Sequence, residues 1–166
     1  MTSIRHNNGV LDAARDCVLA YGVRRTTLTD VARRAGVSRM TIYRRWPDVR
    51  TLVADLMTRE WVAVLSGLDT SDPVRAVVAG VRALREHPLW RKIVEADPEL
   101  LLPYLLRRTG ATHEAMLAFL EPAIGDPART RVVLLIAQSF LMSGPTMLDP
   151  DTLDAELTTL LERYLA

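Results

Sequence analysis

The sequence predicts an all-α protein, and three observations support this prediction. Aromatic residues make up only 5% of the chain, and the β-branched residues do not alternate with polar residues as they do in strands. Apolar residues instead recur every three or four positions, in segments that Pro, Gly or Asp separates. With 49% hydrophobic and 25% charged residues among 166, the composition is typical of a globular chain and excludes a disordered or fibrous one.

Three short helices are predicted in the first fifty residues. The first runs from about Val10 to Tyr21. The second covers Leu28–Ala35 and follows Thr27, a residue type that caps helix N-termini. The third covers Arg39–Trp46, where Ser38 is the predicted cap and the next residue, a proline, ends the helix.

A longer helix is predicted from Asp48 to about Leu65, because apolar residues recur there at helical spacing without Pro or Gly. The remaining predicted helices are Val74–Glu86, Leu89–Ala96, Glu99–Arg108, His113–Ile124, Pro127–Ser143 and Thr152–Leu165.

Several function classes are excluded or disfavoured by what the sequence lacks. A single cysteine, Cys17, allows no intrachain disulfide and no multi-cysteine metal site. No apolar run resembles a signal peptide or a membrane span, so the expected location is the cytoplasm, without membrane contact. Phosphate loops, nucleophile elbows and His–carboxylate metal motifs are also missing, so no catalytic residue, metal or cofactor is predicted. The acidic residues Glu95, Asp97 and Glu99 are expected to be solvated or to cap the next helix.

Charge is distributed unevenly along the chain. Residues 1–60 contain eleven Arg and six acidic residues, a net charge of +5, whereas residues 61–166 have a net charge of −4. Such asymmetry is typical of a protein whose N-terminal part meets a polyanion.

The motif that indicates function lies in residues 26–47, where two capped helices flank a short turn at Gly36. This pattern predicts a helix-turn-helix, in which the second helix enters the major groove of DNA. The first residues of this second helix are expected to face base edges: Arg39, Met40 and Thr41. The later residues Tyr43, Arg44 and Arg45 are expected to reach phosphates.

These residues resemble the signature of the tetracycline-repressor (TetR) family. The resemblance rests on Thr27-x2-Asp-Val-Ala, Ala35-Gly-Val-Ser and Thr41-Ile-Tyr-x2-Trp-Pro, and it spans about residues 10 to 56. It implies a homodimeric repressor bound to a palindromic operator in double-stranded DNA. It also implies an N-terminal three-helix helix-turn-helix domain, residues 1–50, followed by a helical effector-binding and dimerisation domain, residues 51–166. The DNA-binding residues expected by motif position and by chemistry are Thr27, Ser38, Arg39, Met40, Thr41, Tyr43, Arg44 and Arg45.

Three positions depart from the family pattern. Trp46 stands where the family usually has Phe, and Val49 stands where it usually has a Lys that opens the next helix. Arg50 is the nearest cation that can replace this Lys. Met40 replaces a residue that is usually small, so the base preference of relatives does not transfer.

Two further residue sets are predicted in the C-terminal domain. An apolar pocket for a small hydrophobic effector is expected to include Trp61, Leu65, Trp90, Tyr104, His113, Met116 and Phe119, although ordinary core packing explains each residue equally well. A homodimer interface is expected from two apolar helix faces, unless both faces bury inside one subunit. These faces consist of Val132, Leu135, Ile136, Ser139 and Phe140, and of Leu153, Leu157, Leu160, Leu161 and Tyr164.

Two alternatives to an effector-controlled repressor remain open. One is a DNA-binding regulator that has no small-molecule effector. The other is an enzyme or interaction module that merely keeps a helical corner.

Overall fold

The computed structural model describes residues 2–102, 110–142 and 148–166, with side chains from residue 8 onward. Within these ranges the chain is helical and has no β-strand, which confirms the all-α prediction. The α-helices are α1 (Thr2–Tyr21), α2 (Leu28–Ala35), α3 (Arg39–Tyr43), α4 (Val49–Leu65), α5 (Pro73–Glu86), α6 (Pro88–Ala96), α7 (Ala111–Ile124), α8 (Pro127–Met142) and α9 (Pro150–Leu165). A 3₁₀ helix, η1, covers Pro98–Leu101 between α6 and α7.

Two predicted helix boundaries differ from the structure by three residues or more, and one predicted helix begins as a 3₁₀ helix. Helix α1 begins at Thr2 rather than near Val10, because its first turns contain too few apolar residues to show helical periodicity. Helix α3 ends at Tyr43 rather than at Trp46, since the residue before a proline is disfavoured in the helical region. The helix predicted to begin at Glu99 starts instead as η1, and its later residues, 103–108, lie outside the described ranges.

The chain divides into two compact units. The first comprises Met1–Glu60 and Pro88–Arg108. Its core contains fully buried side chains from α1 to α4 and from α6, namely Val18, Val31, Ile42, Leu52, Leu56, Leu89 and Ile93. Cys17 is also buried, as predicted, and this burial raises the pKa of its thiol. The predicted functional division at residue 50 stays a prediction, because packing alone does not assign activity to either part.

The second unit comprises Trp61–His87 and Thr109–Ala166. Helix α5 packs against α8 and α9, and α7 packs against α8. One buried carboxylate, Asp154 on α9, pairs with two arginines of α5: the Arg85 guanidinium lies 2.9 Å away, and Arg82 also donates to it. This hydrogen bond and the charge of Asp154 raise the pKa of Arg82.

None of the described helices has the length and apolar character that a membrane crossing requires.

Candidate nucleic-acid interface

The turn between α2 and α3 is fixed by backbone hydrogen bonds and by one glycine. Gly36 has a φ of 66°, a left-handed conformation that is costly for other residues. Its N–H donates to the carbonyl of Arg33, and the N–H of Val37 donates to the carbonyl of Ala32 over 3.0 Å. This is the Schellman pattern, which ends a helix and redirects the chain. Ser38 then starts α3, because its Oγ accepts the N–H of Thr41 at 3.2 Å.

The start of α2 is fixed by Thr27. Its hydroxyl accepts the backbone N–H of Asp30 at 3.1 Å and donates to the Asp30 carboxylate. This hydroxyl contact, together with the nearby Arg33, lowers the pKa of Asp30. The Thr27 hydroxyl proton is therefore used within the helix cap, and a phosphate contact by this hydroxyl requires an exchange of partners.

Helix α3 has a buried face and an exposed face. Ile42 is buried, and so is Trp46, four residues later. Met40 lies on the exposed face with 78% of its surface accessible, and Tyr43 lies there with 50% accessible. Thr41 is half-buried, and its hydroxyl lies 2.9 Å from that of Ser38. The exposed residues predicted to meet DNA on this face are Ser38, Arg39, Met40, Tyr43 and Arg44, and Arg45 is exposed directly after them.

Ion pairing distinguishes the arginines of α2 from those of α3. Arg33 lies 2.8 Å from Asp30, and Arg34 lies 3.1 Å from Asp16, so both cations are locally neutralised. Among the described residues no carboxylate lies within 4.0 Å of three other exposed guanidinium groups, those of Arg39, Arg44 and Arg45. Uncompensated positive charge is therefore concentrated on α3 and the residues directly after it, where a polyanion is attracted.

Trp46 connects α3 to α4 through a polar contact that the sequence did not predict. Its indole Nε1–H donates to the Asp55 carboxylate at 2.8 Å. The guanidinium carbon of Arg45 lies 5.1 Å from the centroid of the indole ring, which is cation–π distance. A phenylalanine at this position has no N–H and loses the contact with Asp55. The substitution of the usual Phe by Trp46 is therefore more than a change of packing volume.

A carboxylate, Asp48, directly precedes α4, whose first residue, Val49, stands where a lysine is usual in the family that the motif resembles. Asp48 accepts the N–H of Thr51 at 2.7 Å and its hydroxyl at 2.9 Å. These bonds lower the pKa of Asp48, which keeps the residue charged. Val49 is half-buried and neutral, so Arg50, which is exposed, is the only cation in this turn.

The residues predicted for an effector pocket do not all belong to one unit. Trp90 is buried in the first unit, whereas Trp61 is buried in the second with its ring edge-on to His87, 5.2 Å between centroids. The other described members of the set are half-buried in the second unit: Leu65, His113, Met116 and Phe119. Tyr104 lies outside the described residues.

The residues predicted for a dimer interface separate into a buried set and an exposed set. On α9, Leu153, Leu157 and Leu161 are buried within their own unit, so they leave no surface for a second chain. Leu160 of α9 is 40% exposed and Leu135 of α8 is 36% exposed. The other predicted residues are half-buried, apart from the exposed Ser139: Val132, Ile136, Phe140 and Tyr164.

One sequence-based expectation about carboxylates was wrong. Asp97 is only 2% exposed, and its side chain makes no capping bond to η1. Instead, it accepts the backbone N–H of Val23 at 2.7 Å. The sequence misled here because an Asp before Pro98, at the end of a helix, is normally read as a local cap.

The family model for bacterial regulatory proteins of the tetR family matches residues 10–56, which contain α2 and α3. An HTH-type transcriptional regulator of Mycobacterium bovis is 37% identical to the chain, over 99% of the chain and 98% of the relative.

Two solved structures are similar over nearly the full length. AlkX from Dietzia sp., a TetR family repressor implicated in biodegradation of n-alkanes, is 26% identical with a TM-score of 0.69, covering 95% of this chain and 96% of that one. A transcriptional regulator from Streptomyces coelicolor A3(2) has a TM-score of 0.71 at 20% identity, covering 98% of this chain and 99% of that one, which is a likeness of fold.

We expect Asp55→Ala to lower the free energy of unfolding by about 1–3 kcal/mol, because it leaves the largely buried indole N–H of Trp46 without its acceptor. Asp55→Asn is the matched control: it keeps an acceptor oxygen and should lose clearly less. Urea unfolding followed by circular dichroism measures both values. Equal losses for the two variants would show that the hydrogen bond to Trp46 contributes little.

Proposed function

The chain belongs to the tetR family of bacterial regulatory proteins, and from this premise we propose that it is a homodimeric repressor of a palindromic operator, released by a small hydrophobic effector. Members of this family are transcriptional regulators and not enzymes. The proposal rests above all on the exposed face of α3. On this face and directly after α3, three arginines without carboxylate partners among the described residues accompany the strongly exposed Met40.

Residues of α3, the two arginines directly after it and the cap of α2 have distinct roles in this proposal. Arg39 donates two hydrogen bonds to a guanine edge, and Met40 offers an apolar surface to a thymine methyl group. Arg44 and Arg45 meet phosphates, which supply affinity without sequence information. Tyr43 donates its exposed hydroxyl to a phosphate. Thr27 contributes through its place at the start of α2, since its own hydroxyl already serves the cap.

We expect the double variant Arg39→Ala/Thr41→Ala to bind the operator about 10- to 100-fold more weakly, because one bidentate base contact is worth about 1–3 kcal/mol. Fluorescence anisotropy measures binding to a duplex taken from the DNA upstream of the protein's own gene, beside a random duplex, over a salt series. The control is Arg33→Ala, which removes an exposed arginine that Asp30 already neutralises. Its affinity should change by less than about twofold.

The same titrations separate base contacts from phosphate contacts. Replacing Arg44 and Arg45 with Ala should weaken binding to both duplexes and reduce the slope of log K against log salt by about two. If the wild-type chain shows no preference for the upstream duplex at any salt concentration, that DNA holds no operator for it. If it also binds random DNA without salt dependence, the DNA-binding proposal fails.

Dimerisation is supported by α8, which is apolar on two faces. One face, with Val133, Leu134, Ala137 and Leu141, is buried within the second unit. The opposite face presents Leu135 together with half-buried apolar residues, and Leu160 of α9 is exposed as well. In the proposed homodimer, a second copy of the chain covers this apolar surface with its own equivalent surface, related by twofold symmetry. A palindromic operator has the same symmetry, with half-sites about one DNA turn, roughly 34 Å, apart.

We expect Leu135→Glu to convert the dimer to monomers, because a carboxylate buried in an apolar interface is strongly disfavoured. Sedimentation velocity measures the state of association, and operator affinity should fall in parallel. The matched control is Val62→Glu, an apolar residue of α4 that is similarly exposed in the same unit. A Leu135→Glu chain that remains dimeric would place the interface elsewhere.

Control by an apolar effector is supported by the aromatic and aliphatic side chains of the second unit and by the full-length similarity to AlkX. Trp61 is a central member of this set, since its buried ring lies against His87. It also belongs to α4, the helix whose N-terminal part lies in the DNA-binding unit. A displacement of Trp61 by a bound effector is therefore transmitted along α4 toward the residues that follow α3.

We expect an n-alkane such as dodecane to release the wild-type chain from its operator, and Trp61→Ala to raise the alkane concentration needed by about tenfold, because truncation removes a large apolar contact. The control is Val62→Ala, which alters the exposed neighbour of Trp61. Unchanged release from Trp61→Ala would contradict the assignment of Trp61. Persistence of the wild-type complex at saturating alkane would favour a regulator that has no effector of this class.

A further inference from the structure

The carboxylate of Asp97 lies far from its own sequence neighbourhood. It accepts the backbone N–H of Val23 at 2.7 Å and faces that of Arg24 at 3.4 Å, across 74 and 73 positions of the sequence. Both partners belong to the turn between α1 and α2, and all three residues lie in the first unit. Asp97 is therefore a long-range contact within the DNA-binding unit.

The contact replaces the local role that an aspartate at this position usually has. Asp97 stands directly before η1 and makes no side-chain capping bond there. Its backbone carbonyl accepts the N–H of Leu100 at 3.0 Å, so the turn into η1 forms without the carboxylate. The carboxylate thus serves the α1–α2 turn alone, and its burial makes the loss of those partners costly.

Gly22 makes the close approach possible. It has a φ of 80°, and a Cβ at this position would lie 2.9 Å from Asp97 Oδ2 and 3.4 Å from the Cβ of Ala96. The other side of the turn is closed by Thr26, which is buried and donates its hydroxyl to the Gly22 carbonyl at 2.7 Å. The turn is thus held from both sides directly before Thr27, the cap of α2.

Two exposed charged residues, Arg24 and Glu99, lie beside the contact between Asp97 and the α1–α2 turn. Arg24 lies 3.6 Å from Asp97 and also pairs with Glu99. The backbone N–H of Glu99 and then the Arg24 guanidinium lower the pKa of Glu99. Because Arg24 and Glu99 are exposed, this outer pair contributes little, and the buried Asp97 carboxylate is the principal group.

We propose that Asp97 is a positioning residue for DNA binding. It fixes the α1–α2 turn and thereby the start of α2, which packs against α3. The DNA-binding unit then extends beyond residues 10–56 and includes the corner between α6 and η1. Side chains that contact a ligand need a rigid supporting shell, and Asp97 supplies part of that shell from outside the motif. The proposal rests on the operator binding proposed above.

The test uses the full chain with substitutions at two buried carboxylates. Asp97→Ala removes both acceptors, whereas Asp97→Asn keeps one oxygen for Val23 and turns an amide NH2 toward the donors of Arg24. Asp154→Asn is the matched control, because Asp154 is a buried, arginine-paired carboxylate in the second unit. Glu99→Gln tests the exposed pair alone.

Binding to the upstream duplex is measured well below the unfolding temperature of every variant. We expect Asp97→Ala to weaken binding by about tenfold or more and Asp97→Asn to lie between this value and wild type. Asp154→Asn and Glu99→Gln should stay within about twofold of wild type. Amide exchange followed by NMR should accelerate more at Val23 and Arg24 than at other buried amides of the first unit in the Asp97 variants, because a general loss of stability accelerates exchange throughout the unit.

Wild-type binding that both Asp97 variants retain would overturn the proposal, as would an equal loss from Asp154→Asn. An Asp97→Asn chain that does not fold would also overturn it, since Asp97 would then be a stability residue. The exchange measurement needs no DNA. If the wild type shows no specific DNA binding, the proposed function fails, but the exchange measurement still tests the Asp97 contact. The two failures are therefore distinguishable.

Discussion

Helix α3 has only five residues, and an isolated helix of that length has no stability of its own in water. Its structure depends on Ile42 and Trp46, whose side chains are buried on one face. With these two anchors in the core, the three residues between them face outward, and so do Arg39 and Met40 at the start of the helix. The exposure of the DNA-binding residues is therefore a consequence of the burial of their neighbours.

Three polar contacts help to fix the orientation of α2 and α3. The Schellman turn at Gly36 sets where the helix begins, and the indole bond to Asp55 sets where it meets α4. Asp97 restrains the opposite end of α2 through the α1–α2 turn. Each contact is a directional hydrogen bond, so together they restrict orientation more than apolar burial alone can.

The second unit has a closed core, but one of its helices, α8, keeps an apolar face outside that core. Its core is closed by aliphatic residues of α5, α8 and α9, and the buried Asp154 is compensated by Arg82 and Arg85. Yet α8 keeps apolar residues on the face that this core does not use. A helix that is apolar on two faces has more surface than one subunit can bury, which favours a partner of complementary shape.

Local sequence patterns predicted the helical class, the extent of α2, the caps at Thr27 and Ser38 and the exposed face of α3, because periodicity, caps and glycine turns are local properties. The helix-turn-helix motif also assigned Arg39, Arg44 and Arg45 to DNA, but it did not decide the role of Arg33 and Arg34. Tertiary structure added the ion pairs of these two α2 arginines with Asp30 and Asp16, which neutralise them. Tertiary structure likewise divided the predicted interface leucines into buried and exposed ones. It also moved Asp97 from an expected solvated cap to a buried acceptor for Val23. The sequence around a carboxylate next to a proline is the same whether the carboxylate is hydrated or accepts a hydrogen bond from a distant backbone N–H. Tertiary packing decides between the two, because it determines whether such an N–H lies within reach.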